Sequence, residues 1–209
     1  MLHKLQWRYA TKKFDPEKKI DEDTVTELLK AMNLTASSYG LQPYSFIVVH
    51  NDQLQDRLKE AAYGQSQVAD ASHVIVIAAQ KNISENQIDD YIENIAKTRN
   101  QSIESLSGFG DSIKDVVLSM DQSQQLSWAQ RQCYIPLGTL LIAAADKKVD
   151  ACPMEGFDVE KFNDILGLNE HDLHATVMIT LGHRSVKDEY QHEEKVRKKL
   201  TDIVELRYE

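Results

Sequence analysis

Residues 74–79 read Val-Ile-Val-Ile-Ala-Ala, an apolar run made largely of β-branched side chains. β-Branched residues favour extended backbone, and a short uninterrupted apolar run is typical of a strand inside a folded core. The run is far shorter than the ~18–20 residues that a membrane-spanning helix needs. It therefore predicts a buried strand at the centre of the fold.

Three further stretches are predicted to be strands, namely residues 45–50, 149–152 and 174–181. Between the strands, apolar residues recur at helical spacing, which predicts helices over 21–34, 53–63, 85–106, 126–148 and 159–166. No internal repeat or linker-like stretch interrupts this order. The pattern predicts a single α+β domain, residues 1–209, with helices covering both faces of a sheet.

Three local signals modify this prediction. Gly108 and Gly110 break the helical periodicity, so the polar stretch from there to Gln125 is expected to be the most mobile part of the domain. Pro136 is expected to end or kink the most apolar helix, because proline lacks an amide donor and clashes with the preceding turn. Residues 203–206, Ile-Val-Glu-Leu, could form a strand-like tail.

The charge distribution is uneven. The chain has 209 residues and a formal net charge of −9, which argues against nucleic acid or an anionic membrane as a bulk partner. Against this acidic background, Arg8, Lys12 and Lys13 place three cations within residues 8–15. Such a run is either a solvated basic face or a site for a specific anion. Composition alone leaves both open.

The two cysteines, Cys133 and Cys152, are too few for a disulfide framework and show no C-x-x-C pattern. Residues 1–14 mix charges throughout and have no apolar core of the signal-peptide type. A cytoplasmic location is therefore expected. Cys152 is interpreted as a small buried apolar residue rather than a reactive thiol.

Several standard catalytic and binding motifs are absent from the sequence. There is no G-x-x-x-x-G-K-[ST] phosphate loop, no strand-linked G-x-G-x-x-G and no G-x-S-x-G elbow. His171 and His174 are three residues apart but lack an H-E-x-x-H arrangement or a cysteine partner, so no metal site is expected. Standard motifs leave the function open.

Five separated segments carry more information together than any of them does alone. They are RYATKKFD (8–15), SSYGLQPY (37–44), DASH (70–73), PMEGFD (153–158), and LGHRS (181–185) followed by KVR (195–197). In this order and spacing they resemble the FMN-dependent nitroreductase family, in particular its oxygen-insensitive NAD(P)H nitroreductases. The resemblance extends from about residue 3 to residue 198.

The resemblance implies an α+β fold with a central mixed, mainly antiparallel sheet. It also implies a homodimer that holds one FMN in each of two clefts at the subunit interface. The cofactor-binding residues it implies are Arg8, Tyr9, Ala10, Lys12, Ser37, Ser38, Gly40, Gln67, Pro153, Met154, Glu155, Gly156, Lys195 and Arg197.

The cationic members of this set have distinct implied roles. Arg8, Lys195 and Arg197 would hold the FMN phosphate, a dianion best bound by several charge-assisted hydrogen bonds. Lys12 would meet the pyrimidine edge of the flavin ring and stabilise the negative charge that develops there on reduction. Lys13 is interpreted as a solvated surface residue.

The remaining members are implied to contact the flavin ring. Ser37 and Ser38 would reach the flavin of the partner subunit, as would Gly40, where many relatives carry asparagine. Residues 153–156 would lie along one flavin face with a backbone N–H at N5, so Glu155 is interpreted as a turn residue rather than an acid. Gln67 would lie near the ring edge.

The implied activity is FMN-dependent reduction of nitroaromatics or quinones with NADH or NADPH, by ping-pong hydride transfer through flavin N5. No side-chain nucleophile is implied. Phe109 is a candidate aromatic residue of the substrate lid, with a core phenylalanine as the alternative. Two other functions stay open: the same fold and cofactor with an enone, pteridine or halogenated aromatic as acceptor, or a non-enzymatic module that binds a phosphate ligand.

Overall fold

The predicted core strand is the second strand of a four-stranded sheet in the computed structural model, which describes residues 1–208. The strands are β1 (Tyr44–Val49), β2 (His73–Gln80), β3 (Asp150–Met154) and β4 (Leu173–Gly182). Their spatial order is β1-β2-β4-β3, and each neighbouring pair is antiparallel. An isolated parallel bridge between Ala10 and Ala151 makes the sheet mixed at one edge.

The helices alternate with these strands along the chain. They are α1 (Leu2–Trp7), α2 (Glu22–Asn33), α3 (Asp52–Ala61), α4 (Gln67–Asp70), α5 (Glu85–Arg99), α6 (Ser107–Val117), α7 (Gln122–Asp146) and α8 (Val159–Ile165). Asp21 caps α2 by accepting a hydrogen bond from the Thr24 amide at 2.8 Å. Among residues 1–208, no helix is long and apolar enough to cross a membrane.

Helices cover both faces of the sheet, as predicted. Successive side chains of a strand point to opposite faces, so Ile75 and Ile77 pack on one side of β2, and Val74 and Val76 on the other. Ile75 and Ile77 belong to a hydrophobic cluster that includes residues of α2, α5, α6 and α7. Val74 and Val76 belong to a second cluster, which includes residues of α3, α4 and α8. The α+β prediction with a mainly antiparallel sheet is thus confirmed.

Gly108 and Gly110 do not break the helical pattern, contrary to the prediction. Residues 107–117 form the helix α6, and Gly110 lies where this helix approaches α5 closely: an added Cβ would lie 3.3 Å from Cγ1 of Ile92. Lys114 joins the two helices further through ion pairs with Glu85 at 2.8 Å and Asp89 at 2.7 Å. The glycine permits close packing here rather than breaking the helix.

Two further local predictions concern Pro136 and the tail at 203–206. Of the two effects expected of Pro136, an end to the helix or a kink, the first does not occur, because α7 continues through this residue to Asp146. The helix packs on β2, β3 and β4, and this burial outweighs the one lost backbone hydrogen bond. Residues 203–206 form no strand and lie exposed in the part of the chain that the structure describes.

Candidate functional site

The basic segment 8–13 lies along the outer edge of the sheet. It runs beside β3, the last strand in the spatial order, and the Thr11 amide donates to the Ala151 carbonyl at 3.3 Å. An edge strand leaves a row of backbone groups unpaired, and the segment covers part of that row. Arg8 and Lys12 therefore lie beside β3, whose last two residues begin the segment 153–156.

A buried carboxylate fixes the conformation of this segment. Oδ2 of Asp188 accepts hydrogen bonds from the Tyr9 hydroxyl at 2.9 Å, the Lys12 amide at 2.8 Å and the Lys13 amide at 3.1 Å. Although burial alone favours the neutral acid, these donors hold the pKa of Asp188 below its usual range. The sequence analysis did not identify Asp188, since a lone aspartate in a charged tail carries no motif.

Arg184 also supports the segment, but its charge is already neutralised. Its guanidinium forms an ion pair with Asp150, with Nε 2.7 Å from Oδ1. The same group lies 4.3 Å from the ring centroid of Trp7 and 4.6 Å from that of Tyr9. These cation–π contacts hold Tyr9 in place. Arg184 therefore stabilises the wall of the site and is not free to bind an anion.

Arg8, Lys195 and Arg197 converge on one cavity of about 340 Å³. Lys12, Tyr9 and Ala10 line it as well, and so do Glu193 and Glu194. Residues from both ends of the chain thus build a single pocket with four cations and two acidic residues, which we call the basic pocket. None of Arg8, Lys195 and Arg197 forms a salt bridge with a residue among 1–208. The Lys195 ammonium donates to the Gln6 carbonyl at 2.6 Å, which leaves its charge uncompensated.

The electrostatics of the basic pocket favour an anionic ligand. Nε of Arg8 is buried and has no hydrogen-bond partner among residues 1–208. Burial, together with the neighbouring Arg197, lowers the pKa of Arg8. Burial and the nearby Arg8 and Arg197 likewise lower the pKa of Lys195. Like charges held together in this way repel one another, and an anion bound between them would remove both the repulsion and the unpaired donor.

Lys12 lies on the wall of the pocket nearest to β3. Its ammonium is 3.9 Å from Sγ of Cys152, which is fully buried. Burial raises the pKa of the Cys152 thiol despite the nearby Lys12 and Arg8, so the group stays neutral. This agrees with the interpretation of Cys152 as a packing residue. The charge of Lys12 remains available to a ligand.

Residues 153–156 are held by side chains from two other elements. Gln65 Nε2 donates to the Gly156 carbonyl at 2.7 Å, and the Tyr134 hydroxyl donates to Oε1 of Glu155 at 2.8 Å. Burial and then the Glu155 contact raise the pKa of Tyr134 to about 12, so its proton stays in place. Gln67 does not reach this segment directly, but its Nε2 donates to Oε1 of Gln65 at 3.3 Å.

Gln65 and Tyr134 were not identified from the sequence. Gln65 lies in a short polar connection and Tyr134 in a long helix, where neither residue type forms a recognisable pattern. Only the tertiary structure shows that both contact the 153–156 segment. Gln65 fixes the backbone of this segment at Gly156, and Tyr134 donates a hydrogen bond to the Glu155 carboxylate.

Ser37, Ser38 and Gly40 lie apart from the basic pocket. The Ser38 amide donates to Oε1 of Gln132 at 2.9 Å, and Ser37 Oγ accepts from the Gln42 amide at 3.0 Å. Gly40 has φ +79°, and an added Cβ would clash with the Tyr91 hydroxyl. The turn thus contacts α5 and α7.

Phe109, the candidate lid residue, is 40 % exposed and lies on α6 rather than in a loop.

The fold and the pocket define an α+β protein whose sheet edge presents a cavity lined by four basic residues, Arg8, Lys12, Lys195 and Arg197. The match to known proteins is consistent with this. Residues 5–183 match the model of the nitroreductase family. The chain belongs to this family, and the resemblance seen in the five segments is confirmed.

One curated relative and two solved structures illustrate the similarity. A Staphylococcus saprophyticus protein named "putative NAD(P)H nitroreductase" is 34% identical over 98% of this chain and 95% of its own length. The crystal structure of the Bacillus subtilis "putative nitroreductase ydfN" has a TM-score of 0.87 at 24% identity, covering 99% of this chain and 98% of its own. An Exiguobacterium sibiricum "putative nitroreductase in complex with FMN" has a TM-score of 0.83 at 18% identity, covering 99% and 96%.

Proposed function

We propose that this protein is an FMN-dependent NAD(P)H oxidoreductase that reduces nitroaromatics or quinones. The observation that carries the proposal is the basic pocket, in which Arg8, with an unpartnered buried Nε, meets Lys195 and Arg197. The names of its relatives and the FMN bound by one structural neighbour support this choice of ligand and donor. The proposal includes a homodimer and, since both cysteines are free and buried, a cytoplasmic location.

The residues of the pocket fit the phosphate end of FMN. Arg8 offers a buried N–H donor, and Arg197 and Lys195 add two further positive charges beside it. A phosphate dianion would accept charge-assisted hydrogen bonds from all three, and arginine matches its geometry in a bidentate way. Tyr9 and Ala10 would form the wall, and Asp188 would keep that wall in position through Tyr9 and the Lys12 amide.

Bound FMN would supply hydride chemistry at N5, accepting a hydride from NADH or NADPH and passing it to an acceptor that binds afterwards. The chain's own task is to orient the reactants and to tune the ring electrostatically. Lys12 would hold positive charge at the ring edge, and Gln67 would lie nearby. Residues 153–156 would shape one face with backbone atoms.

The structure supports a non-acidic role for Glu155. Its carboxylate accepts the hydrogen bond from Tyr134, whose raised pKa makes the phenol a poor acid. We propose that neither side chain protonates the substrate and that the proton needed after hydride transfer comes from solvent. Ser37, Ser38 and Gly40 would complete the site of a partner subunit, and Phe109 would contact the acceptor.

Purified protein is expected to be yellow and to release stoichiometric FMN on denaturation. Absorbance near 450 nm and chromatography of the released flavin would measure this. Anaerobic NADH or NADPH should then bleach the flavin, and a nitroaromatic or a quinone should restore the colour. A colourless protein that FMN cannot reconstitute, but that binds inorganic phosphate, would instead support a phosphate-ligand-binding module.

Lys12→Gln is expected to lower the two-electron midpoint potential of the bound flavin by about 30 mV or more. The reason is that a lost cation destabilises the anionic reduced ring, and 30 mV corresponds to about 1.4 kcal/mol. Spectroelectrochemical titration with redox dyes would measure the shift. Lys13→Gln is the matched control, since Lys13 is exposed and adjacent. Equal potentials in the two variants would refute the assignment of Lys12.

A further inference from the structure

A second cluster of ligating side chains lies outside the basic pocket. Glu22, His50 and His73 each place a ligand atom within 4.8 Å of the others. None of the three lines the basic pocket, and none was assigned a role in the proposed function. Their positions in the sequence, 22, 50 and 73, show no metal-binding spacing, so the cluster is visible only in the fold.

The sheet topology brings these residues together. β1 and β2 are antiparallel, with Val49 opposite Val74, so His50 just after β1 lies across from His73 at the start of β2. The imidazole rings are stacked with centroids 4.3 Å apart. Glu22 reaches them from the first turn of α2.

One serine orients both imidazoles. His50 Nδ1 is 2.8 Å from the Ser72 carbonyl oxygen, so this nitrogen must carry the proton and donate it. His73 Nδ1 lies 3.0 Å from Ser72 Oγ, which also accepts from the Ile20 amide at 2.8 Å. With both Nδ1 atoms engaged, both Nε2 atoms stay free. Ligating histidines typically use their second ring nitrogen in this way, donating it to a carbonyl or hydroxyl oxygen.

From this arrangement we infer that Glu22, His50 and His73 form a binding site for a divalent transition-metal ion, with Zn²⁺ the best match. Two imidazole nitrogens and one carboxylate are a common three-residue zinc set, and water would supply the fourth ligand. The ion must lie in the plane of both imidazoles, so binding requires the exposed ring of His50 to turn out of its stack on the buried ring of His73. The exposed positions of His50 and Glu22 leave room for this movement.

Two charged side chains face the imidazole rings. Glu22 is the acidic group that faces the rings, while the positive charge of Lys19 lies near enough to oppose a cation. The bound ion would join the start of α2 to the ends of β1 and β2. Its expected effect is therefore stabilisation of the fold rather than a change in flavin chemistry.

The test uses the full chain, stripped with a chelator and titrated with ZnCl₂ in competition with a chromogenic chelator. The wild type is expected to bind one Zn²⁺ per chain and to melt at a higher temperature with the ion than without it. His50→Ala and Glu22→Gln should each weaken binding at least about tenfold, because each removes one of three protein ligands.

His171→Ala is the matched control, because His171 is exposed and belongs to no such cluster. It should bind Zn²⁺ as the wild type does. Circular dichroism of the apo-proteins would establish that His50→Ala and Glu22→Gln are folded, which is expected for substitutions at exposed positions. Failure of the wild type to bind Zn²⁺, or equal affinity in the folded His50→Ala and Glu22→Gln proteins, would overturn the inference.

Discussion

Arg8→Ala is expected to weaken FMN binding about tenfold to a hundredfold. A hydrogen bond to a charged group contributes about 1.5–3 kcal/mol, and each 1.4 kcal/mol is a factor of about ten in affinity. Arg8 offers such a bond from an Nε that has no partner among residues 1–208. Removing it takes away both a donor and a charge at the centre of the basic pocket.

Fluorescence titration of apo-protein with FMN would measure the loss, and riboflavin provides the internal control. Riboflavin lacks the phosphate, so Arg8→Ala should bind it as tightly as the wild type does. Arg197→Ala should show the same selectivity for FMN. Lys13→Ala is the matched surface control, since Lys13 is exposed and adjacent to the site. If the Arg8 and Arg197 variants bound FMN like the wild type, the phosphate-binding assignment would be wrong.

The second large effect is expected for Asp188→Ala, which should lower the free energy of unfolding by about 3 kcal/mol. The substitution leaves the Tyr9 hydroxyl and the Lys12 and Lys13 amides without their common acceptor. Each buried donor left unsatisfied costs about 1–3 kcal/mol. Urea denaturation monitored by tryptophan fluorescence would measure the change.

Asp188→Asn is the matched variant, because it keeps one acceptor oxygen and removes the charge. It should lose less stability than Asp188→Ala while keeping the fold of the 8–13 segment. FMN affinity should fall in parallel with stability in both variants, since Asp188 acts on the pocket by holding residues 9–13 and the amide of Tyr190 in place. An Asp188→Ala protein as stable as the wild type would show that these hydrogen bonds contribute no net stabilisation.

The contribution of Asp188 should depend on pH. Its pKa is lower in the folded protein than the value of about 3.9 expected for an unfolded aspartate. The folded state therefore binds fewer protons, and the stabilisation is present above about pH 4 and lost as the pH falls through the folded pKa. The difference in unfolding free energy between the wild type and Asp188→Asn should shrink below about pH 4. A constant difference across that range would contradict this assignment.

Much of the fold could be predicted because the relevant signals are local. The run at 74–79 and the periodicity of residues 21–34 each match an observed element within two residues at either end. The errors arose where tertiary packing overrode local preference. Gly110 lies inside a helix because it permits a close approach to Ile92, and Pro136 lies inside one because the surrounding helix is buried on the sheet.

The residues of the candidate site likewise fall into those that could be predicted from the sequence and those that could not. Arg8, Lys12, Lys195 and Arg197 could be selected from sequence because a family resemblance preserved their spacing, and the structure brings them to one cavity. Gln65, Tyr134 and Asp188 could not, because glutamine, tyrosine and aspartate occur widely in helices and loops. Their roles depend on hydrogen bonds between residues that are far apart in the sequence.

The sequence by itself determined the α+β class, the order of the central elements and the family. Apolar periodicity and motif spacing are local features of the sequence and do not depend on tertiary contacts. Only the tertiary structure decided which cations remain unpaired. Arg184 is neutralised by Asp150, whereas Arg8 forms no salt bridge with any residue among 1–208. The physical reason is that charge compensation depends on distances between residues far apart in sequence. The same holds for Glu22, His50 and His73, which only the pairing of β1 with β2 brings within reach of one ion.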